Sequence, residues 1–369
     1  MRINSIRLHW VRIPFWEPFR LSNGEVSVKD AILIQIEANG VNGWGEASPL
    51  AGSAYSGDTP QSTWDFLRDQ LVPFFLEKPE ISPQCCFDYF SRFPGEPFAK
   101  AGLEGALWDL EAQRQNVPLW SLLGGQKRPI PSGVTVGLMP DIPSLLERIE
   151  RFLAEGYRRV KIKVAPGNDL ESVRAIRKRF GKIPLMVDAN GAYQIEDAPL
   201  FEELDRFDLM MIVQPLARQS LAEHAELQAP LKTPICLDES AENLGAIESI
   251  IRQASCRILN IKVQRMGGLW PSRKAHDMAM AAGISCWLGT MPELGIACVQ
   301  GLHLAMLPNF LLPTDVVASE RWYVDDVTDP GISVSADGFV CIAEGSGMGY
   351  RVDADKVARY CLRSEELRA

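Results

Sequence analysis

Lys163, Asp188, Val213 and Asp238 recur at an interval of 25 residues, and Lys262 follows 24 residues later. Each closes a short apolar run (VKIK, LMVD, MIV, ICLD and LNIK), and each run is followed by a helix-length amphipathic segment. Few folds return to the same kind of position at so constant an interval, but a repeated strand–helix unit does. Eight such runs, Gly133–Val136, Val160–Val164, Leu185–Asp188, Leu209–Val213, Ile235–Asp238, Ile258–Lys262, Ser285–Leu288 and Phe310–Leu312, predict a closed parallel barrel. The five recurring positions then sit at equivalent C-terminal strand ends, the face on which barrel enzymes carry their sites.

The preceding sequence is less regular. Ile3–Ile13 and Ala31–Ala38 read as strands, Gly40–Gly43 as a turn, Ser48–Asp58 as an irregular loop, and Ser62–Phe75 and Phe98–Gln115 as helices. A chain of 369 residues suggests two domains at roughly 100 to 200 residues each. The expected α/β architecture is a (β/α)7β TIM-like barrel at 126–326, with an α+β capping domain at 1–125 completed by about 327–369.

Charge and composition exclude several functions. A net charge of −9 with no compensating basic stripe argues against nucleic acid and anionic membranes, leaving a small molecule as the expected partner. No apolar run approaches 18 residues, so the chain reads as soluble and cytoplasmic. The 4 histidines are scattered, which disfavours a zinc site. The 8 cysteines read as reduced thiols, with Cys236 and Cys286 in strand cores.

The strand ends carry the chemistry. In VKIKV the two-residue strand period points Lys161 and Lys163 to one side, and Lys262 ends ILNIK. Lysines on an exposed edge, or snorkelling from the barrel mouth, are the plainer alternatives. Asp188 and Asp238, with Asn190 sharing the face of Asp188, suit a hard divalent cation such as Mg²⁺. The bland alternative is helix capping or pairing with lysine. Together these residues form a kit for removing the α-proton of a carboxylate and stabilising the enediolate. A free lysine, with a pKa of about 10.4, is a poor base at neutral pH. Burial and the neighbouring Lys161 are expected to lower the pKa of Lys163.

The order K-x-K (Lys161, Lys163), D-x-N (Asp188, Asn190), Gln214–Pro215, D-E-S (Asp238, Glu239, Ser240) and N-x-K (Asn260, Lys262) resembles the muconate-lactonising branch of the enolase superfamily. The likeness is to the o-succinylbenzoate synthase / N-acylamino acid racemase group, and PFRLSNG, AGSAYS, PNFLLPTD and the Gly-rich tail extend it over nearly the whole chain. The resemblance implies Lys163 as acid/base on one face of the substrate, and Lys262 on the other as second acid/base or electrostatic stabiliser. It implies Asp188 and Asp238 as Mg²⁺ ligands, with Lys161 and Asn190 in support. Asn260 and Tyr55 are expected at the substrate, as are Thr135, Gly289, Thr290 and Glu293, which sit where the group lines its acyl or succinyl pocket. The mandelate-racemase branch places a histidine at the seventh strand, where this chain reads SCWLGT. Related barrels commonly assemble, so a homo-oligomer is expected.

One position departs from the pattern. The family's second metal ligand is a glutamate immediately before Gln-Pro, and here that residue is Val213. Gln214 and Glu239 are each one residue from a ligand position and, on an ideal strand, face away from the ion. Two classes of function follow. The first is a carboxylate α-proton enzyme, a dehydratase or a racemase. The alternative is a barrel that keeps the pocket but has lost this chemistry, as a binding protein or in a metal-light reaction. Specificity is expected in the loops Phe19–Ser27 and Ser48–Asp58, with Trp16 and Trp287 as further candidate substrate contacts.

Overall fold

The structure, a computed structural model, describes residues 1–21, 24–50 and 57–369. The chain starts with three antiparallel strands, β1 (Ser5–Leu21), β2 (Gly24–Ala38) and β3 (Val41–Ala47). The sequence AILIQI in β2 is apolar at successive positions because this sheet is buried on both faces. Ile32, Ile34 and Ile36 join Ile6 and Leu8 in a core with the capping helices, while Ala31 and Leu33 join Val11 and Ile13 in the core shared with the barrel. The longest helix, Pro97–Gln115, lies against β3. Glycines allow that approach, since a Cβ on Gly45 would lie 2.0 Å from the Gly102 carbonyl.

Seven parallel strands follow: β4 (Val134–Val136), β5 (Val160–Lys163), β6 (Leu185–Asp188), β7 (Ile212–Val213), β8 (Ile235–Leu237), β9 (Ile258–Ile261) and β10 (Ser285–Leu288). They form one sheet in sequence order. The helices between them bury one stripe, as Ile142–Ala154 does with Leu145, Ile149 and Phe152. The eighth run, expected as a strand at Phe310–Leu312, is irregular. It still ties the two sheet edges together, since Phe310 bridges to Cys286 and Thr314 to Ser132. Pro308 and Pro313 flank it, and a proline has no N–H for a regular ladder. The last strand, β11 (Cys361–Arg368), returns to pair with β1.

Buried carboxylates dock the cap on the barrel. Glu46 of β3 accepts from the backbone N–H groups of Leu294 (2.8 Å) and Ala297 (2.9 Å), at the start of helix Gly295–Leu304. Glu104 accepts from Leu269 and Trp270 at the start of helix Leu269–Ala281. Both carboxyl groups accept from helix N–H groups that have no partner within the helix. No helix among the described residues is long and apolar enough to cross a membrane.

Candidate active site

The ladder of the barrel sets the order of the site. Lys163 is the register partner of Asp188, Asp188 of Val213, and Val213 of Cys236. The barrel is plugged by Met186, Met211, Val213, Cys236, Ile258 and Trp287. Cys236 and Cys286 are both buried core thiols, as expected. Trp287, a candidate substrate contact, is fully buried in this plug. Its ring lies under the Lys161 ammonium and the Arg159 guanidinium, at 5.2 and 5.3 Å.

Above the plug the charges interlock. Lys161 is buried, with Nζ 2.6 Å from Asp315 Oδ2 and 3.6 Å from Asp188 Oδ2. Lys163 is 2.8 Å from Asp188 Oδ2 and donates to Asn190 Oδ1 at 2.5 Å. Lys262 is 3.0 Å from Asp238 Oδ2, and Arg265 is 2.5 Å from Asp238 Oδ1. Arg159, fully buried, is 2.7 Å from Asp315 Oδ1. Burial opposes the charge of Asp238, but Arg265, Lys262 and Lys161 outweigh it and hold this carboxyl well below its usual range. Burial is likewise overcome at Asp315, which Lys161 and Arg159 bring down to about 2.

The pKa of Lys163 shifts in the opposite direction to the sequence expectation. Burial is the largest single effect and disfavours its charge, yet Asp188 together with Glu239 and Asp238 outweighs it and raises the pKa. The repulsion expected from Lys161 is blunted because Asp315, outside the K-x-K motif, neutralises that neighbour. The plainer alternatives for the lysines do not hold either, as Lys161 and Lys262 are buried inside the barrel.

Glu239 also departs from expectation. Strand β8 ends at Leu237, so strand alternation no longer governs the next residues. Glu239 turns toward the strand end of β6, where its Oε1 accepts from Asn190 Nδ2 at 2.8 Å. Gln214 does face away. At φ 42° it braces the loop, its Oε1 accepting from the backbone N–H groups of Asp238 (3.0 Å) and Ser240 (3.1 Å).

The remaining expected residues divide. Thr135, Thr290 and Glu293 line a cavity of about 90 Å³ together with Lys161, Lys163 and Lys262. Lys163 and Asn190 also line the outer cleft of about 2380 Å³, with Trp16 at its rim. Asn260 does not line this cavity. It is fully buried under Gly289, whose missing Cβ would lie 2.1 Å from Asn260 Oδ1. Gly289 is therefore small to admit Asn260, and neither residue's side is presented to the pocket. Tyr55 lies outside the described residues, as does most of its loop. Sequence reasoning missed Arg159, Arg265 and Asp315. Asp315 carried the same signal as Asp188 and Asp238, an acid closing an apolar run in FLLPTD.

The carboxylates expected to hold a divalent cation, Asp188 and Asp238, supply oxygen donors of the kind Mg²⁺ takes, and each is ion-paired here with two cationic side chains. In the present arrangement no three His, Cys, Asp or Glu side chains among the described residues are gathered closely enough to hold a metal.

Comparison with known proteins places the chain in a family. Residues 5–124 match the mandelate racemase / muconate lactonizing enzyme N-terminal domain, and residues 144–356 match the enolase C-terminal domain-like family. An o-succinylbenzoate synthase from Geobacillus kaustophilus is 40% identical over 361 residues, 98% of this chain and 96% of the relative. An N-succinylamino acid racemase from Amycolatopsis is 39% identical over 350 residues, 95% of each chain. The crystal structure of an enolase-superfamily member from Listeria innocua superposes with a TM-score of 0.95 at 33% identity, covering 100% of this chain and 99% of that one. Full-length similarity to named enzymes gives no support to a barrel that has lost its chemistry. The chain belongs to the mandelate racemase / muconate lactonizing enzyme family of the enolase superfamily.

Proposed function

We propose that this chain removes the α-proton of a small carboxylate substrate, acting as a dehydratase or as a racemase. The observation that carries this reading is that Lys161, Lys163 and Lys262 line one small pocket. Lys163 comes from β5 and Lys262 from the end of β9, four places apart in the sheet. In a barrel of eight staves that is half the circumference, so the two amines approach a substrate held between them from opposite sides.

Lys163 as a neutral amine takes the proton from Cα on one face and becomes an ammonium. For a racemase, Lys262 as an ammonium returns a proton to the other face. For a dehydratase, Lys262 stays charged beside the enediolate while the Lys163 ammonium gives the abstracted proton to the β-hydroxyl, whose C–O bond breaks to release water and leave the C=C bond. Asp188 and Asp238 hold Mg²⁺ or another divalent cation, which, when bound, acidifies the α-proton and stabilises negative charge on the substrate carboxylate. Asp188 holds Lys163 in its charged form here; with that carboxylate engaged elsewhere, the amine is freed to act as a base. Asn190 positions Lys163, and the pair of Arg159 and Asp315 fixes Lys161. Thr135, Thr290 and Glu293 border the space for the rest of the substrate.

The names of the relatives give the first substrates to test, N-succinylamino acids and the hydroxylated precursor that yields o-succinylbenzoate by loss of water. The same reading takes the chain as a cytoplasmic homo-oligomer with no nucleic-acid or membrane partner, consistent with its charge of −9. Incubation with a panel of these carboxylates and Mg²⁺ in D₂O, followed by proton NMR, tests the reaction. Loss of an α-proton signal or formation of dehydrated product is expected, and neither change across the panel would overturn it.

A further inference from the structure

The ring of functional side chains has a gap at β7 and a spare acid beside it. Val213 is fully buried in the apolar plug and offers no oxygen. Glu239 directly follows Asp238 and reaches Asn190, which itself binds Lys163 and whose backbone N–H donates to Asp188 Oδ1 at 3.3 Å. The second oxygen of Glu239 is buried and has no hydrogen-bond partner among the described residues. A buried carboxylate oxygen without a donor carries an uncompensated desolvation cost. Burial, and then the charges of Asp238 and Asp188, raise the pKa of Glu239, so these three acids repel one another with no cation among them.

We propose that Glu239 supplies the third carboxylate of a divalent-cation site with Asp188 and Asp238, taking over the role lost at Val213. A cation there satisfies the bare oxygen and converts the repulsion among the acids into attraction. Because the acids are not gathered in the cation-free arrangement, the proposal includes a rotation of the Glu239 side chain. That side chain is only half-buried and has three rotatable bonds with which to make it. The assignment rests on the proposed α-proton chemistry for its purpose, but binding can be measured without any substrate.

Titration of the full-length protein with Mn²⁺, with free Mn²⁺ read by electron paramagnetic resonance, tests the assignment. The wild type is expected to bind one Mn²⁺, and Glu239→Gln to weaken binding at least tenfold. A second variant, Val213→Glu with Glu239→Gln, returns the acid to β7 and is expected to recover that affinity. It also separates loss of a ligand from loss of the fold, which circular dichroism of each variant checks independently. Wild-type affinity in Glu239→Gln, or no Mn²⁺ binding by the wild type, would overturn the assignment. If α-proton exchange persists while Glu239→Gln binds Mn²⁺ normally, the proposed function stands and this assignment falls. If the wild type binds Mn²⁺ through Glu239 but exchanges no α-proton, the reverse holds.

Discussion

Lys161 Nζ lies 2.6 Å from Asp315 Oδ2, joining the second strand of the barrel to the segment that closes it. Asp315 also receives Arg159 at 2.7 Å, so one carboxylate compensates two buried cations. This arrangement keeps the K-x-K pair from being two bare positive charges in an apolar barrel.

Asp315→Asn is therefore expected to cost about 3–5 kcal/mol of stability, the usual penalty for removing one partner of a buried ion pair. Urea unfolding measures it. Combining the change with Lys161→Met should cost less than the sum of the two, because the second substitution removes one of the stranded charges. Strict additivity would mean that the pair is energetically unimportant.

Lys163→Ala and Lys262→Ala are each expected to slow α-proton exchange by about 10²- to 10⁴-fold, the usual contribution of a positioned acid or base. For a racemic N-acylamino acid, the two variants should lose exchange on opposite enantiomers first. NMR of each separate enantiomer in D₂O reads this out. Equal loss on both enantiomers in both variants would contradict a two-sided site.

Glu293 gives a pH prediction. Burial and the nearby Glu46 push its carboxyl up, to about 8, against the lowering effects of the Met291 N–H and of Lys29 and Lys262. The folded state therefore holds a proton that the unfolded state releases from about pH 4.5 upward. Its contribution to stability should fall between about pH 4.5 and 8, by at most about 1.4 kcal/mol per pH unit, and level off above. Glu293→Gln should flatten that slope in chemical unfolding measured from pH 5 to 8. An unchanged slope would mean that Glu293 is ionised throughout.

Gly289→Ala forces a methyl group onto Asn260. The cost expected is about 1–3 kcal/mol, typical of overpacking, and Asn260→Ala in the same chain should recover part of it. Thermal unfolding of the single and double variants measures both.

The barrel was legible because its repeating unit is nearly constant in length, so the strand ends at Lys163, Asp188 and Val213 fall beside one another in the sheet. Composition and alternation were enough for those positions. They were not enough for Glu239, because the period of two stops where β8 stops, at Leu237. Nor could they set the charge state of Lys163. Its sequence neighbour Lys161 suggests a lowered pKa, but the outcome depends on Asp188 at 25 residues' distance and on Asp315 at 154 from Lys161. The N-x-K motif fixes which side of the strand Asn260 faces, not how deep in the barrel it lies. Only packing shows that it fills the space left by Gly289.

The most direct test of the central claim is proton NMR of the wild-type protein with Mg²⁺ and an N-succinylamino acid in D₂O. The account predicts incorporation of one deuteron at Cα in the wild type and, for the enantiomer whose α-proton faces Lys163, its loss in Lys163→Ala. No incorporation with any carboxylate tried, or incorporation that survives in both Lys163→Ala and Lys262→Ala, would contradict it.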